Sequence, residues 1–163
     1  MKWAYGWGVY DTVYADDAER MKWKADIIKQ MEEAGIENLG RISHAEVAEL
    51  YKKAKVFLYP SEFAEIDCIS LTKAMASGCI PVTTDFAAMG DKKNDIGYFL
   101  HSNKTKDTWC GDYQFYFSAP YSEEFVDCCV KALTENKNTS RLREETLEKY
   151  SWDLITNLWN NEI

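Results

Sequence analysis

A chain of 163 residues fits one domain and is long enough to bury its own core. Hydrophobic residues make up 46% and charged residues 28%, as in folded soluble proteins, and no apolar run approaches the roughly 18 residues of a membrane span. The net charge is −8 and the lysines are scattered rather than gathered into a stripe, which argues against a nucleic acid as partner.

The opening MKWAYGWGVYDTVYADD is too acidic for a signal peptide, so a cytoplasmic location is expected. Residues 2–5 (KWAY) read as a short strand ending at Gly6-Trp7-Gly8. A long helix follows over about 16–34, stopped by Gly35, and 36–39 read as a short strand. Ser43-His44-Ala45-Glu46 is a capping box, which predicts a helix over about 44–54. Residues 55–59 (KVFLY) are a strand ended by Pro60. The next helix, about 67–77, is mostly apolar, carries one lysine, Lys73, and is stopped by Gly78. Residues 79–84 (CIPVTT) form a strand, and a loop, AAMGDKKND, leads to another at 96–100. A polar loop over 104–111 precedes an expected edge strand at 113–117. Ser122 caps a helix to about 133, and helical stretches near 141–150 and 152–160 close the chain.

Strands alternating with helices predict one domain across 1–163. Its fold class is α/β, a single Rossmann-like, doubly wound parallel sheet with helices on both faces and a helical tail. Trp152, Ile155 and Trp159 share one face of that tail, which packs either on its own domain or on a second domain or subunit. Of the five cysteines, Cys68, Cys79, Cys110, Cys128 and Cys129, none forms a CxxC, and they read as reduced core thiols. His44 and His101 are far apart and have no cysteines at ligand spacing, so no metal site is expected.

Gly6 and Gly8 after the first strand are a weak dinucleotide fingerprint. The third glycine position holds Asp11 and the turn is acidic, which argues against a dinucleotide and for a tight turn that needs glycine's backbone freedom. The stretch after KVFLY is more informative, because open parallel sheets bind ligands beyond the carboxyl ends of their strands. Ser61, Glu62, Glu65 and Asp67 fall there. Carboxylates in such a turn accept bonds from sugar hydroxyls, and a helix N-terminus attracts anions. A buried lysine at position 73 requires a negative partner, either Glu65, Asp67 or a ligand phosphate; otherwise Lys73 reaches out to water and Asp67 is an N-cap. Arg41 either reaches a nucleotide or is a surface residue. Thr83, Thr84 and Asp85 line the same cleft or close a turn, and Tyr10, Tyr14 and Tyr59 stack on a base or belong to the core.

Tyr59-Pro-Ser-x-x-x-Glu65 followed by Ala74-Met-Ala-Ser-Gly78-x-x-Pro-Val82 resembles the donor-site signature of GT-B glycosyltransferases of family 4. The flanks agree: GRISHAEVAELYKKAKVFLYPS resembles the passage leading into that signature, KWAYGWG its strand ending in G-x-G, and KYSWDLITNLW its closing segment. The resemblance implies the C-terminal, donor-binding half of such an enzyme. It implies retaining transfer of a hexose from a UDP- or GDP-linked sugar to an acceptor hydroxyl, with no cofactor and no catalytic metal. Glu65 matches the family's first glutamate, which contacts the donor sugar. Lys73 stands where the second, ribose-holding glutamate belongs, as in relatives reading E-I-x-C-I-x-x-x-K-A. Glu65 and Lys73 are therefore the implied catalytic pair. Gly6, Gly8, Arg41, Ser61, Glu62, Asp67, Cys68, Ile69 and Thr83 are the implied donor-binding set.

Three departures from the family shape the expectation. A lysine accepts no bond from ribose hydroxyls. Ile66-Asp67-Cys68 replaces the family's Gly-Phe-Gly, so Asp67 either turns away from the helix entrance or competes with a diphosphate. The acceptor-binding half has no counterpart in this sequence, so a second GT-B domain or subunit is the expected partner. A non-catalytic nucleotide-sugar-binding or assembly module is the alternative reading.

Overall fold

The computed structural model describes residues 1–4, 6–61, 64–101 and 119–162. The expected edge strand at 113–117 and two of the named residues, Glu62 and Cys110, lie outside them. The chain divides into two compact units, Met1–Glu49 and Leu50–Ile163. Among the described residues no helix is long and apolar enough to cross a membrane.

In the first unit β1 (Lys2–Trp3) pairs in parallel with β2 (Glu37–Asn38), Lys2 opposite Glu37. Between them lie α1 (Gly8–Val13), in a stretch whose acidic residues read as turn, and α2 (Ala18–Glu33), whose N-cap is Asp17. Gly35 at φ 70° ends α2: its N–H donates to the Glu32 carbonyl and the Ile36 N–H to that of Met31. These two bonds satisfy carbonyls that the helix end would leave orphaned. Met31 is the buried hydrophobic residue among the described residues of this unit, so rings supply much of its cohesion. Trp7 meets Tyr10 and Trp23 edge-on at 5.4 and 6.3 Å, and Tyr10 meets Tyr14 at 4.8 Å. The capping box forms as expected at the start of α3 (His44–Lys53): the Glu46 carboxylate accepts from the Ser43 N–H at 2.8 Å, and the Glu46 N–H donates to the Ser43 hydroxyl.

In the second unit β3 (Val56–Tyr59), β4 (Ile80–Thr84) and β5 (Tyr98–Leu100) form a parallel sheet in the order β3-β4-β5. Its side chains alternate strictly. Val56, Leu58, Ile80, Val82, Tyr98 and Leu100 pack with Phe125, Cys128, Cys129 and Ala132 of α6 (Ala119–Thr134). Phe57, Tyr59 and Phe99 face the other way, onto Leu71 and Met75 of α4 (Ile69–Ala76) and Leu142 of α7 (Thr139–Tyr150). Both faces are thus covered, and the central strand β4 is buried at every position. α4 ends as α2 does: Gly78 sits at φ 85°, its N–H bonded to the Met75 carbonyl and the Cys79 N–H to that of Ala74.

The parallel α/β class is as expected, but among the described residues the strands bond as two sheets rather than one. Three further differences have local causes. α5 (Ala88–Asp91) occupies part of the expected loop, because Gly90 fits where a Cβ would lie 2.5 Å from the Asp85 carbonyl oxygen. α6 starts at Ala119 rather than Ser122, with Pro120 in the first turn, where no N–H is needed. In α8 (Trp152–Glu162) Ile155 is half-buried, while Trp152 and Trp159 are exposed, so the expected apolar face of the tail is not packed as a unit.

Candidate functional site

The chain is pinned where it leaves the sheet. Beyond β3, the Ser61 N–H donates back to the Tyr59 carbonyl at 2.8 Å. From β4, the Thr83 hydroxyl donates to the same Tyr59 carbonyl at 2.8 Å, and the Thr84 hydroxyl donates to the Ser61 carbonyl at 2.5 Å. Thr83 is fully buried and its hydroxyl is engaged in this pinning. Thr83 thereby braces the ends of β3 and β4.

Glu65 is half-buried just beyond β3. Its Oε1 accepts a 2.5 Å bond from the Tyr59 hydroxyl, and its main-chain carbonyl accepts from the Ala88 N–H at 3.2 Å. Among the described residues Oε2 accepts no bond, so one carboxylate oxygen is held and the other is available to a hydroxyl. Burial pushes the Tyr59 phenol well above the usual tyrosine range, and the bond to Glu65 adds to the shift, so Tyr59 remains a donor at neutral pH. Tyr59 also stacks on Phe57 at 5.9 Å, which commits one face of its ring to the core rather than to a base.

Asp67 does not cap α4. The N-cap is Cys68, which makes no side-chain capping bond, and the first turn contains no acidic residue. The Asp67 carboxylate instead pairs with the Lys92 ammonium, which also lies 5.0 Å above the Tyr150 ring. Lys92 is buried, its side chain only 6% exposed, whereas Asp67 is 59% exposed. Of the two outcomes the sequence left open for Asp67, the structure has it turned away from the helix entrance. Cys68 is buried and Ile69 is exposed, its N–H bonded to the Asp67 carbonyl.

Lys73 is exposed and, among the described residues, has no carboxylate partner. Of the alternatives left open for Lys73, a pair with Glu65 or Asp67 is not formed among the described residues: Lys73 is exposed on the last turn of α4, and Lys92 holds Asp67. The buried lysine of this region is Lys92, which sequence reasoning missed. It stands in the polar-looking run Asp91-Lys92-Lys93, and only the short apolar Phe86–Met89 stretch before it hints at burial.

In the first unit Gly6 lies against Arg41: a Cβ on Gly6 would approach the Arg41 Cβ to 3.1 Å. Gly8 opens α1, with open space at its Cβ position. Trp7, between the two glycines, lies in a turn. Arg41 is exposed.

The buried Cys79 and the half-buried Tyr59 give the fold a pH signature. Burial pushes the Cys79 thiol, between α4 and β4, up to about 11 from 9.0, and Tyr59 shifts the same way. The folded state holds these protons more tightly than the unfolded chain. The Cys79 contribution is complete below pH 9 and is lost as pH rises through 11, whereas that of Tyr59 begins to be lost only above pH 10. Urea unfolding is expected to show stability falling by ~2 kcal/mol between pH 9 and 11 from Cys79 alone. The fall is expected to be smaller in Cys79→Ala.

Glu65 and the start of α4 both lie just beyond the carboxyl end of β3, where parallel α/β sheets bind ligands. The family model described as "Glycosyl transferases group 1" matches residues 12–107, more than half of the 163, and the chain belongs to that family. The match takes in Glu65, Asp67, Lys73 and Lys92. No curated protein matches the chain.

Proposed function

We propose that the chain is the donor-binding part of a retaining hexosyltransferase. It binds a UDP- or GDP-linked sugar beyond the carboxyl ends of β3 and β4 and acts with a second domain or subunit that supplies the acceptor. Family membership gives the class, and the observation that carries the reading is Glu65. Tyr59 fixes one carboxylate oxygen, which leaves the other preorganised to accept from a donor sugar hydroxyl. The start of α4, with no acidic residue in its first turn and the Asp67 carboxylate drawn away by Lys92, suits a diphosphate. Lys73 adds positive charge from the same helix.

Glu65→Gln keeps an oxygen for Tyr59 and removes the charge. Calorimetric titration with UDP-glucose and GDP-mannose is expected to show donor affinity falling about tenfold or more, the worth of a hydrogen bond to a charged group. The melting temperature is expected to move by less than roughly 3 °C. Unchanged affinity would remove Glu65 from the site.

A second reading, a non-catalytic nucleotide-sugar-binding or assembly module, is favoured by one observation. The family's ribose-holding position carries Lys73, an exposed side chain with no acceptor atom. Release of free hexose from a sugar nucleotide by the chain would count against it.

A further inference from the structure

We propose that Lys92 is a positioning residue of the donor turn; the inference rests on the nucleotide-sugar reading above. The turn Glu65–Asp67 is held by α5 at two points. The first residue of α5, Ala88, donates its N–H to the Glu65 carbonyl at 3.2 Å, and Lys92, just past the last, pairs with the Asp67 carboxylate. α5 is itself seated on the end of β4, since the Gly90 Cα lies so close to the Asp85 carbonyl that no methyl fits there.

The burial asymmetry shows which partner anchors which. Asp67 is hydrated enough to stand alone, whereas Lys92 is buried and, among the described residues, finds no other carboxylate. An ammonium in that position binds the turn tightly because it has nowhere else to place its charge. Tyr150, the last residue of α7, offers its ring face to the same ammonium. Lys92 touches no donor atom in this account. It acts through Asp67 on the placement of Glu65, two residues earlier.

The test compares the parent chain with Lys92→Arg, Lys92→Met and the double variant Asp67→Ala/Lys92→Met. Each is titrated with UDP-glucose and GDP-mannose, and hydrogen exchange is followed over residues 64–68 without ligand. Donor affinity is expected to fall tenfold or more in Lys92→Met and to return largely in Lys92→Arg. The double variant, which contains no buried unpaired charge, is expected to melt near the parent yet keep the weak affinity. Exchange over 64–68 should speed up about tenfold in Lys92→Met and in the double variant, with β4 unchanged. Parent-like affinity in the double variant would reduce Lys92 to a stability role and overturn the proposal. Unchanged exchange over 64–68 would overturn it whatever the ligands do. If the parent binds neither sugar nucleotide, the functional reading fails, and the exchange result alone decides whether Lys92 holds the turn.

Discussion

Asp67→Ala is expected to destabilise the protein by about 3 kcal/mol, although the residue removed is more than half exposed. The cost arises at Lys92, which is left as a buried ammonium with only the Tyr150 ring for company. That ring keeps the expected figure at the low end of the range for a broken buried pair. Lys92→Met alone should cost less, because the abandoned Asp67 carboxylate is hydrated, and Asp67→Ala/Lys92→Met should recover most of the loss. Urea unfolding of the three variants checks this. An Asp67→Ala loss below roughly 1 kcal/mol would mean that Lys92 is solvated in solution.

The second large effect is expected at Gly97. A Cβ there would stand 2.5 Å from Pro81 Cγ and 2.7 Å from Phe99 Cε2. Pro81 is fully buried in the central strand, and its ring cannot swing aside as a flexible side chain would. It sits where β4 pairs with β3 and before β5 joins at Val82, so the absence of side-chain bulk at Gly97 makes room for it. Gly97→Ala is expected to cost about 3 kcal/mol through overpacking, a fall of roughly 6–12 °C in Tm for a chain of this size. Differential scanning calorimetry would read it. A shift under about 2 °C would show that β5 can move away from Pro81 at little cost.

Much of the fold is legible in the sequence because local signals and burial agree. The capping box at Ser43 and Glu46, the helix-stopping Gly35 and Gly78, and the apolar segments of β3 and β4 each specify one local geometry. The misreadings have a common cause: contacts distant in sequence. α5 holds a glycine and three consecutive charged residues follow or end it, which reads as loop. Its helix exists because Gly90 packs on Asp85 and Lys92 finds Asp67. Asp67 reads as an N-cap from its place before an apolar helix, yet a buried lysine 25 residues later takes its carboxylate. Lys73 drew attention as a charge within an apolar helix, but helix geometry turns it to solvent while Leu71, Ala74 and Met75 face inward. Glu65 was legible as a site residue through its motif. Its clamp by Tyr59 and Ala88 was not, since no sequence spacing encodes it.

The central claim is that the unit from Leu50 onward presents a nucleotide-sugar donor site. A thermal-shift titration of the chain against UDP-, GDP- and ADP-sugars and their parent diphosphates tests it most directly. At a concentration near 100 times the dissociation constant, a true donor adds about 2.7 kcal/mol, a rise of roughly 5–10 °C. The account predicts such a rise with one base preferred, a larger rise with the sugar attached than with the diphosphate alone, and loss of that difference in Glu65→Gln. No rise with any of them at millimolar concentration would contradict it.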